Sequence, residues 1–354
     1  MTALTDRPGG RFRMPAGSEA TAPPEHRGIP RDGVRLLVAR PDGVEHRTFA
    51  ALPVLLDPGD LVVINVSATL PAAVDGQGPN GSPVPVHVSA QLDDGTWVVE
   101  VRRRDGHGPD LTLAPGLRVD LPGGVRLTLA AAYPDPTVLP TRLWRAEAHP
   151  RVATTRYLPE HGRPIGYSYL SGRFPLEDSQ NVYATVPGSA ENASAGRPFT
   201  SELVVRLVAR GVTIAPLVLH AGVSSPELHE PPTPERYAVP EDTGRLVTSA
   251  RATGRRVVAV GTTVVRALES AARDDGTVHG ASGWTNLVLG PGHPARVVTG
   301  LVTGLHAPEA SHLSLLEAVA GIELVRRAYD AAVESRYLWH EFGDSMLFLP
   351  PVPS

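Results

Sequence analysis

Residues 255–270, RRVVAVGTTVVRALES, decide how the rest of the chain is read. Val257, Val258 and Val260 form a short apolar run with β-branched side chains, the composition of a strand covered on both faces. Gly261 ends the run. From Thr263 the apolar residues Val264, Val265, Leu268 and Ala271 recur at helical spacing, and Thr262 or Thr263 suits the N-cap. A buried strand, a Gly-Thr-Thr turn and a helix put free backbone N–H groups and two hydroxyls at a helix start, where a polar ligand can dock. Arg266 and Glu269, three apart, are expected to pair on the exposed side of that helix.

The same texture extends outward. In LDPGDLVVIN (56–65), Pro58-Gly59 turns the chain into an apolar strand ending at Asn65. Helical patterns recur at SELVVRLVARG (201–211), DTGRLVTSARATG (242–254) and LSLLEAVAGIELVRRAYDAAVESR (313–336), alternating with strands such as VTIAPLVLH (212–220). Between about 72 and 150 the pattern changes to short alternating segments, VPVHVSAQL, TWVVEVRRR, LRVDL and VRLTLAAAY, separated by Asp-Gly, Gly-Pro and Gly-Gly turns. The expected fold is therefore an α/β main domain, residues 25–71 and 151–354, with a small antiparallel β-barrel domain inserted at 72–150. Residues 1–24 are expected to be a disordered tail.

Composition narrows the chemistry. A chain of 354 residues, 42% apolar and 20% charged, can bury more than one core. Neither a bilayer-length apolar run nor a signal-peptide core is present, so a cytoplasmic protein without a membrane partner is expected. With no cysteine, thiolate catalysis and Cys-ligated metals are excluded. All 33 basic residues are Arg, which excludes lysine Schiff-base chemistry but leaves arginine forks for phosphate or carboxylate. The net charge of −4 permits only a local basic face, for which Arg102, Arg103 and Arg104 are a candidate. A monomer is expected.

Two polar loops flank these elements, PGSAENASAGRPFT (187–200) and HAGVSSPELHEPPTPERY (220–237). Loops at the carboxyl ends of strands are where α/β proteins place chemistry, and His220, His229, Glu230, Glu235 and Tyr237 share the second. A metal-hydrolase set built from His220, His229, His306 and Glu235 matches no closed zinc spacing, and no metal is expected.

Taken in order, RDGVRLLVAR, LDPGDLVVIN, SQNVYATVPG, SAGRPFTSEL, LHAGVSSPE, PERYAVP, AVGTTVVRALES, GLHAPEASHLSLL and FGDSMLFLP resemble the S-adenosylmethionine:tRNA ribosyltransferase-isomerase family of queuosine biosynthesis, from Arg31 to Leu347. The resemblance implies an α/β domain interrupted by a small barrel, and an enzyme for which S-adenosylmethionine is a substrate rather than a bound cofactor. Its ribosyl unit passes to a 7-aminomethyl-7-deazaguanine base in tRNA and is isomerised to an epoxycyclopentane, giving epoxyqueuosine; adenine and methionine leave. In the mechanism implied, the sulfonium acidifies the neighbouring 5′ carbon, a base removes that proton, and adenine departs. By this resemblance His220, Glu235, His306 and Asp344 are the expected catalytic residues. The expected substrate-binding residues are Asn65, Tyr183, Phe199, Thr200, Gly222, Tyr237, Gly261, Thr262, Thr263, Arg266 and Gly343. His312, six residues after His306, is expected on the surface at a helix start.

The chain also departs from the family's motifs. Asn-Asp-Thr-Arg-Val stands as Asn65-Val66-Ser67-Ala68-Thr69, without the arginine. Ala-Gly-Leu-His-Phe-Thr becomes Ala195-Gly196-Arg197-Pro198-Phe199-Thr200, and the Met-His before the shared glutamate becomes Pro232-Thr233, so that two histidines are lost. Thr-Asn-Phe-His-Leu-Pro-x-Ser-Thr-Leu stands as residues 303–313, keeping the His, the Pro and a Ser, and Gly-Thr-Phe becomes Val223-Ser224-Ser225. Ribosyl transfer to a different acceptor, or a non-catalytic nucleoside- or RNA-binding paralogue, are the alternatives these departures raise.

Overall fold

The computed structural model describes residues 12–105, 108–224, 232–308 and 310–351. Strands and helices are numbered along the chain. A nine-stranded mixed sheet runs, in spatial order, through β15 (Ala281–Thr285), β13 (Glu235–Val239), β12 (Thr213–Leu219), β3 (Leu61–Asn65), β14 (Val257–Val260), β16 (Gly300–Gly304), β17 (Ser345–Phe348), β1 (Arg35–Arg40) and β2 (Gly43–Thr48). Its centre, β12, β3, β14 and β16, is parallel. The outer pairs β13–β12, β15–β13, β16–β17 and β1–β2 are antiparallel.

The central strands are apolar along their whole length because both faces are covered. Leu37, Leu61, Val63 and Ala259 join one core, while Leu36, Val38, Val62 and Val258 join the other, the alternation that a strand imposes on successive side chains. The first core receives α5 (Glu241–Ala252), α6 (Thr262–Ala271), α7 (His312–Ala320) and α8 (Ile322–Glu334); the second receives the short α1 (Leu52–Leu55) and α4 (Ser201–Ala209). The helix α2 (Thr154–His161) and the single turn α3 (Leu176–Ser179) lie in the connection between the two sheets.

Between β4 (Ser67–Thr69) and β11 (Val186–Ser189), which pair in parallel, the chain forms a second, antiparallel sheet of six strands. In spatial order these are β10 (Leu143–His149), β7 (Trp97–Val101), β6 (Pro83–Gln91), β5 (Ala73–Gln77), β8 (Arg118–Asp120) and β9 (Arg126–Ala132), with β9 pairing back onto β10. Val74, Val86, Val99, Leu127, Trp97 and Trp144 fill its interior.

Three expectations change. Residues 313–336 form two helices rather than one, because Gly321 adopts φ 79° and ψ 149° between α7 and α8. The described part of the expected tail is packed: Phe12 stacks on Tyr329 at 4.7 Å, and the Ala20 N–H donates to the Trp339 carbonyl. Residues 1–11 lie outside the described residues. Arg102 does not belong to a free basic run, since its Nη1 lies 2.7 Å from the buried Glu100 carboxylate. Among the described residues no helix is long and apolar enough to cross a membrane.

Candidate active site

The parallel centre brings the carboxyl ends of β3, β12, β14 and β16 to one edge of the sheet, so that Asn65, His220, Gly261 and Gly304 meet there despite their separation in sequence. Asn65 is saturated by protein. Its Nδ2 donates to the Leu219 carbonyl (2.8 Å) and Thr263 Oγ1 (3.4 Å), and its Oδ1 accepts from the Ser67 and Leu219 N–H groups. It is a clamp between strand ends, and the residue it fixes is the neighbour of His220.

His220 Nδ1 lies 2.8 Å from Ser67 Oγ, and that hydroxyl lies 2.6 Å from Ser189 Oγ, which accepts from the Ala221 N–H. Every hydroxyl proton in this chain has an acceptor when Ser189 donates to Ser67 and Ser67 donates to His220 Nδ1. That direction leaves the imidazole proton on Nε2, turned away from the serines. Burial, reinforced by the Arg236 charge, lowers the His220 pKa to about 4, so the ring is neutral near pH 7. Gly188 is obligatory beneath it, because a Cβ there would come within 2.5 Å of the ring.

Glu235, at the start of β13, accepts from the Gly222 N–H (3.2 Å) and pairs with Arg266. Burial raises the carboxyl's pKa, against the opposing pull of Arg266 and the Gly222 N–H. Arg266 also donates to the carbonyls of Leu287, Thr233 and Thr285. It is 6% exposed and braces α6 to the strands at the sheet edge. The expected Arg266–Glu269 surface pair does not form: Glu269 is 2% exposed and accepts from the N–H groups of Arg296, Val297 and Val298. Both residues face inward because α6 is enclosed nearly all round.

The turn between β14 and α6 begins the helix at Thr262, with Gly261 itself as the N-cap at φ 93° and without a side-chain cap, so neither threonine caps as expected. Thr262 and Thr263 are half-buried at this strand edge, beside the Asn65 clamp. Thr200 and Phe199, expected at the ligand, are built into the scaffold. Thr200 Oγ1 accepts from Leu203 N–H as the cap of α4, and Phe199 is fully buried, edge-on to Phe49 and Tyr183. Tyr183 itself keeps an unpartnered hydroxyl, as does the carbonyl oxygen of the Asn181 side chain, and both side chains close over Gly196. Tyr237 is half-buried on β13 against the core.

After β16, His306 is held at two points: Nε2 lies 3.0 Å from Thr303 Oγ1, and its backbone N–H donates to the Tyr329 hydroxyl. Burial lowers its pKa well below the usual imidazole value. His312 begins α7 as expected, yet it does not sit free on the surface; its ring lies parallel to His306, with centroids 4.7 Å apart and planes within 4°. Nearby, Ser194, Arg197, Gly304, His340, Glu341 and Asp344 line a narrow cleft. Asp344 is committed to protein: it accepts from the Arg35 and Leu338 N–H groups and from the Arg35 guanidinium. Gly343 permits the tight turn before it, since a Cβ would meet the Leu338 carbonyl oxygen at 2.5 Å.

Two carboxyls, the buried Glu191 and the half-buried Glu341, escaped the sequence reading. Glu191 accepts from Ser224 Oγ at 2.5 Å, with its pKa raised by burial, and burial also pushes Glu341 up to about 8. No spacing signals them, because they are 150 residues apart and meet only through the loops around Ser194. His229 and Glu230 lie outside the described residues.

The profile of the family described as queuosine biosynthesis protein matches residues 10–348. Proteins named S-adenosylmethionine:tRNA ribosyltransferase-isomerase are similar throughout. The one from Symbiobacterium thermophilum is 37% identical, over 90% of this chain and 94% of the relative. The one from Thermus thermophilus is 36% identical, with the same coverage. The crystal structure of S-adenosylmethionine tRNA ribosyltransferase from Thermotoga maritima superposes with a TM-score of 0.53 at 29% identity, covering 96% of this chain and 99% of that one.

Proposed function

The chain belongs to the S-adenosylmethionine:tRNA ribosyltransferase-isomerase family, and from that premise we propose that it transfers and isomerises the ribosyl moiety of S-adenosylmethionine onto a 7-aminomethyl-7-deazaguanine base in tRNA. The product is epoxyqueuosine, with adenine and methionine released. S-adenosylmethionine is a substrate in this reading, consumed in each turnover. The small sheet, with residues 72–150 as an inserted β-barrel domain, and the α/β body of residues 25–71 and 151–354 are the units that carry it.

The observation supporting this reading is the convergence of His220, His306 and the Gly261-Thr262-Thr263 turn at one edge of the parallel sheet. His220 presents an Nε2–H donor, suited to a nitrogen on the departing base or the incoming nucleobase. The half-buried start of α6 offers N–H groups to a polar ligand edge. Glu191 and Glu341, which burial holds toward the neutral form, suit a cationic sulfonium or amine whose charge would favour their ionised form. Asn65, Arg266 and Asp344 hold the elements that carry these groups.

Incubation with S-adenosylmethionine, with and without tRNA carrying the aminomethyl-deazaguanine base, tests the proposal by mass spectrometry of released adenine and methionine. Release that requires this tRNA is the expected result. Release that ignores it points to another acceptor, and binding without release to a non-catalytic paralogue.

A further inference from the structure

The narrow cleft beside the sheet edge is built from two turns of chain. One is the single 3-10 turn Ser194–Gly196, closed by Arg197. It abuts the Gly-Thr-Thr turn, since a Cβ placed on Gly261 would lie 3.4 Å from the Ala195 Cβ. The other is 340–343, where the Gly343 N–H donates to the His340 carbonyl at 3.0 Å and His340 holds φ 71°, a conformation that a non-glycine residue keeps only under constraint. Glu341 and Phe342 of this second turn line the cleft, and the Arg197 guanidinium lies over the Phe342 ring, 5.2 Å from its centroid. Gly304, two residues before His306, lines it too, so the cleft adjoins the edge where His306 and the Gly261 turn meet.

Arg197 is 2% exposed, yet its fork is only partly used. Nε donates to the Asp178 carbonyl (2.7 Å) and Nη2 to Glu25 (2.6 Å), while the buried Nη1 has no hydrogen-bond partner among the described residues. Glu25 is shared with Arg31 at 3.1 Å, and the Asp178 carboxylate lies 2.9 Å from His26. One carboxylate is thus divided between two guanidinium groups. A buried charged donor without an acceptor costs free energy that a ligand oxygen recovers. We propose that Arg197 is a substrate-contacting residue, its Nη1 receiving the carboxylate at the methionine end of the donor, and that Glu341 in the same cleft receives the ammonium of that end. The inference rests on S-adenosylmethionine being the donor. The other acid of the cleft does not oppose it, because Asp344 is paired with Arg35 at 2.8 Å. Glu341 is bonded to the Ser194 hydroxyl and pushed by burial up to about 8, so it stands mostly neutral near pH 7 and ionises beside an ammonium group. An amino-acid end presents one anion and one cation on a single carbon, which matches a guanidinium and a carboxyl on facing turns. Its small size fits the narrow cleft and leaves the nucleoside end at the Gly261 turn.

The test compares ligands that differ only at the amino-acid end. By calorimetry the parent is expected to bind S-adenosylmethionine roughly 10–100-fold more tightly than its decarboxylated analogue, the size of a hydrogen bond to a charged group. Arg197→Met should bring the two affinities within about threefold and leave that for the decarboxylated analogue unchanged, whereas a merely structural role would weaken both alike. Glu25 keeps Arg31 in this variant, so no carboxylate is left without a partner. Where Arg197→Met does not fold, Arg197→Lys, which keeps the charge and lacks the planar fork, should lower the preference at least about threefold. Glu341→Gln, close in shape to the neutral carboxyl, should remove the preference for S-adenosylmethionine over its desamino analogue. Equal binding of the first two ligands by the parent would overturn the inference, as would an Arg197 variant that keeps the parent's full preference. Glu341→Gln that keeps the preference for the amine would overturn the role given to Glu341. A parent that binds neither S-adenosylmethionine nor its analogues would instead remove the proposed function, and the inference with it.

Discussion

At the residue scale, the site separates side chains with free hydrogen-bonding capacity from those already committed, and motif matching alone does not make this distinction. Gly343-Asp344 matches the family, which pointed to a ligand contact, but the Asp344 carboxylate is 5% exposed and spends its oxygens on Arg35 and Leu338. Asp344→Ala is therefore expected to cost about 3 kcal/mol of stability, the lower end for a broken buried pair because Arg35 remains partly solvated. Urea unfolding of the variant measures this; an unchanged midpoint with lost adenine release would return Asp344 to the reacting groups. The same distinction explains the misread helix pair. Spacing of three places Arg266 and Glu269 on neighbouring positions of α6, but spacing carries no information on whether that face meets water. Their real partners, Glu235 and the 296–298 backbone, come from elements that only the sheet brings near. His312 was misplaced for the same reason: a polar residue at a helix start reads as surface until another ring is found lying on it.

At the scale of elements, most of what was legible came from period. The continuous apolar runs of β3 and β14 and the alternating runs of β6, β7 and β9 appear where the pattern put them. β5 and β10 escaped notice because AVDGQ carries Asp and Gly, and LWRAEAH uses alanine for its inward positions, so both lack the bulky β-branched alternation that marks a strand. The C-terminal helices show the converse limit. Their apolar period continues through 313–336, and a lone glycine inside such a pattern is compatible with one long helix, yet Gly321 turns the chain between α7 and α8. The two readings predict opposite signs for one substitution. In an uninterrupted helix Gly321→Ala would stabilise by about 0.5–1 kcal/mol. At φ 79°, with nothing within 4 Å to clash, it is expected to destabilise by about 1–2 kcal/mol from backbone strain alone, and thermal unfolding decides the sign.

At the scale of the whole molecule, folding gathers neutral histidines from distant parts of the chain into buried places, and this sets the pH range in which the fold holds. Burial lowers the His87 pKa to about 3 and those of His220 and His312 to about 4, from 6.5 in the unfolded chain. Below pH 6.5 the unfolded chain therefore takes up protons that the folded protein refuses. The stability these histidines leave intact above pH 6.5 drains as pH falls toward 4, by up to about 1.4 kcal/mol per unit for each. Glu341 works the other way. Its folded pKa of about 8 stands above the unfolded 4.5, so the cost of burying it ionised is complete above pH 8 and disappears as pH falls to 4.5. Glu191 and Glu235, also raised by burial, act in the same sense as Glu341, while His306 and His340, also lowered by burial, act with the other histidines, so five histidines stand against three carboxyls. Between pH 6.5 and 4.5 the protein is thus expected to lose stability, at up to about 1.4 kcal/mol per pH unit for each unopposed histidine. Urea unfolding at pH 7, 6 and 5 measures the slope, and a flat profile would mean that these rings are hydrated in solution. His87 allows the cause to be isolated, because it sits in the small sheet at 7% exposure with an unpartnered Nδ1, away from the His306–His312 stack. His87→Leu should remove about one proton from the slope while leaving adenine release at pH 7 unchanged, since the charge it avoids burying matters only where the unfolded chain would carry it.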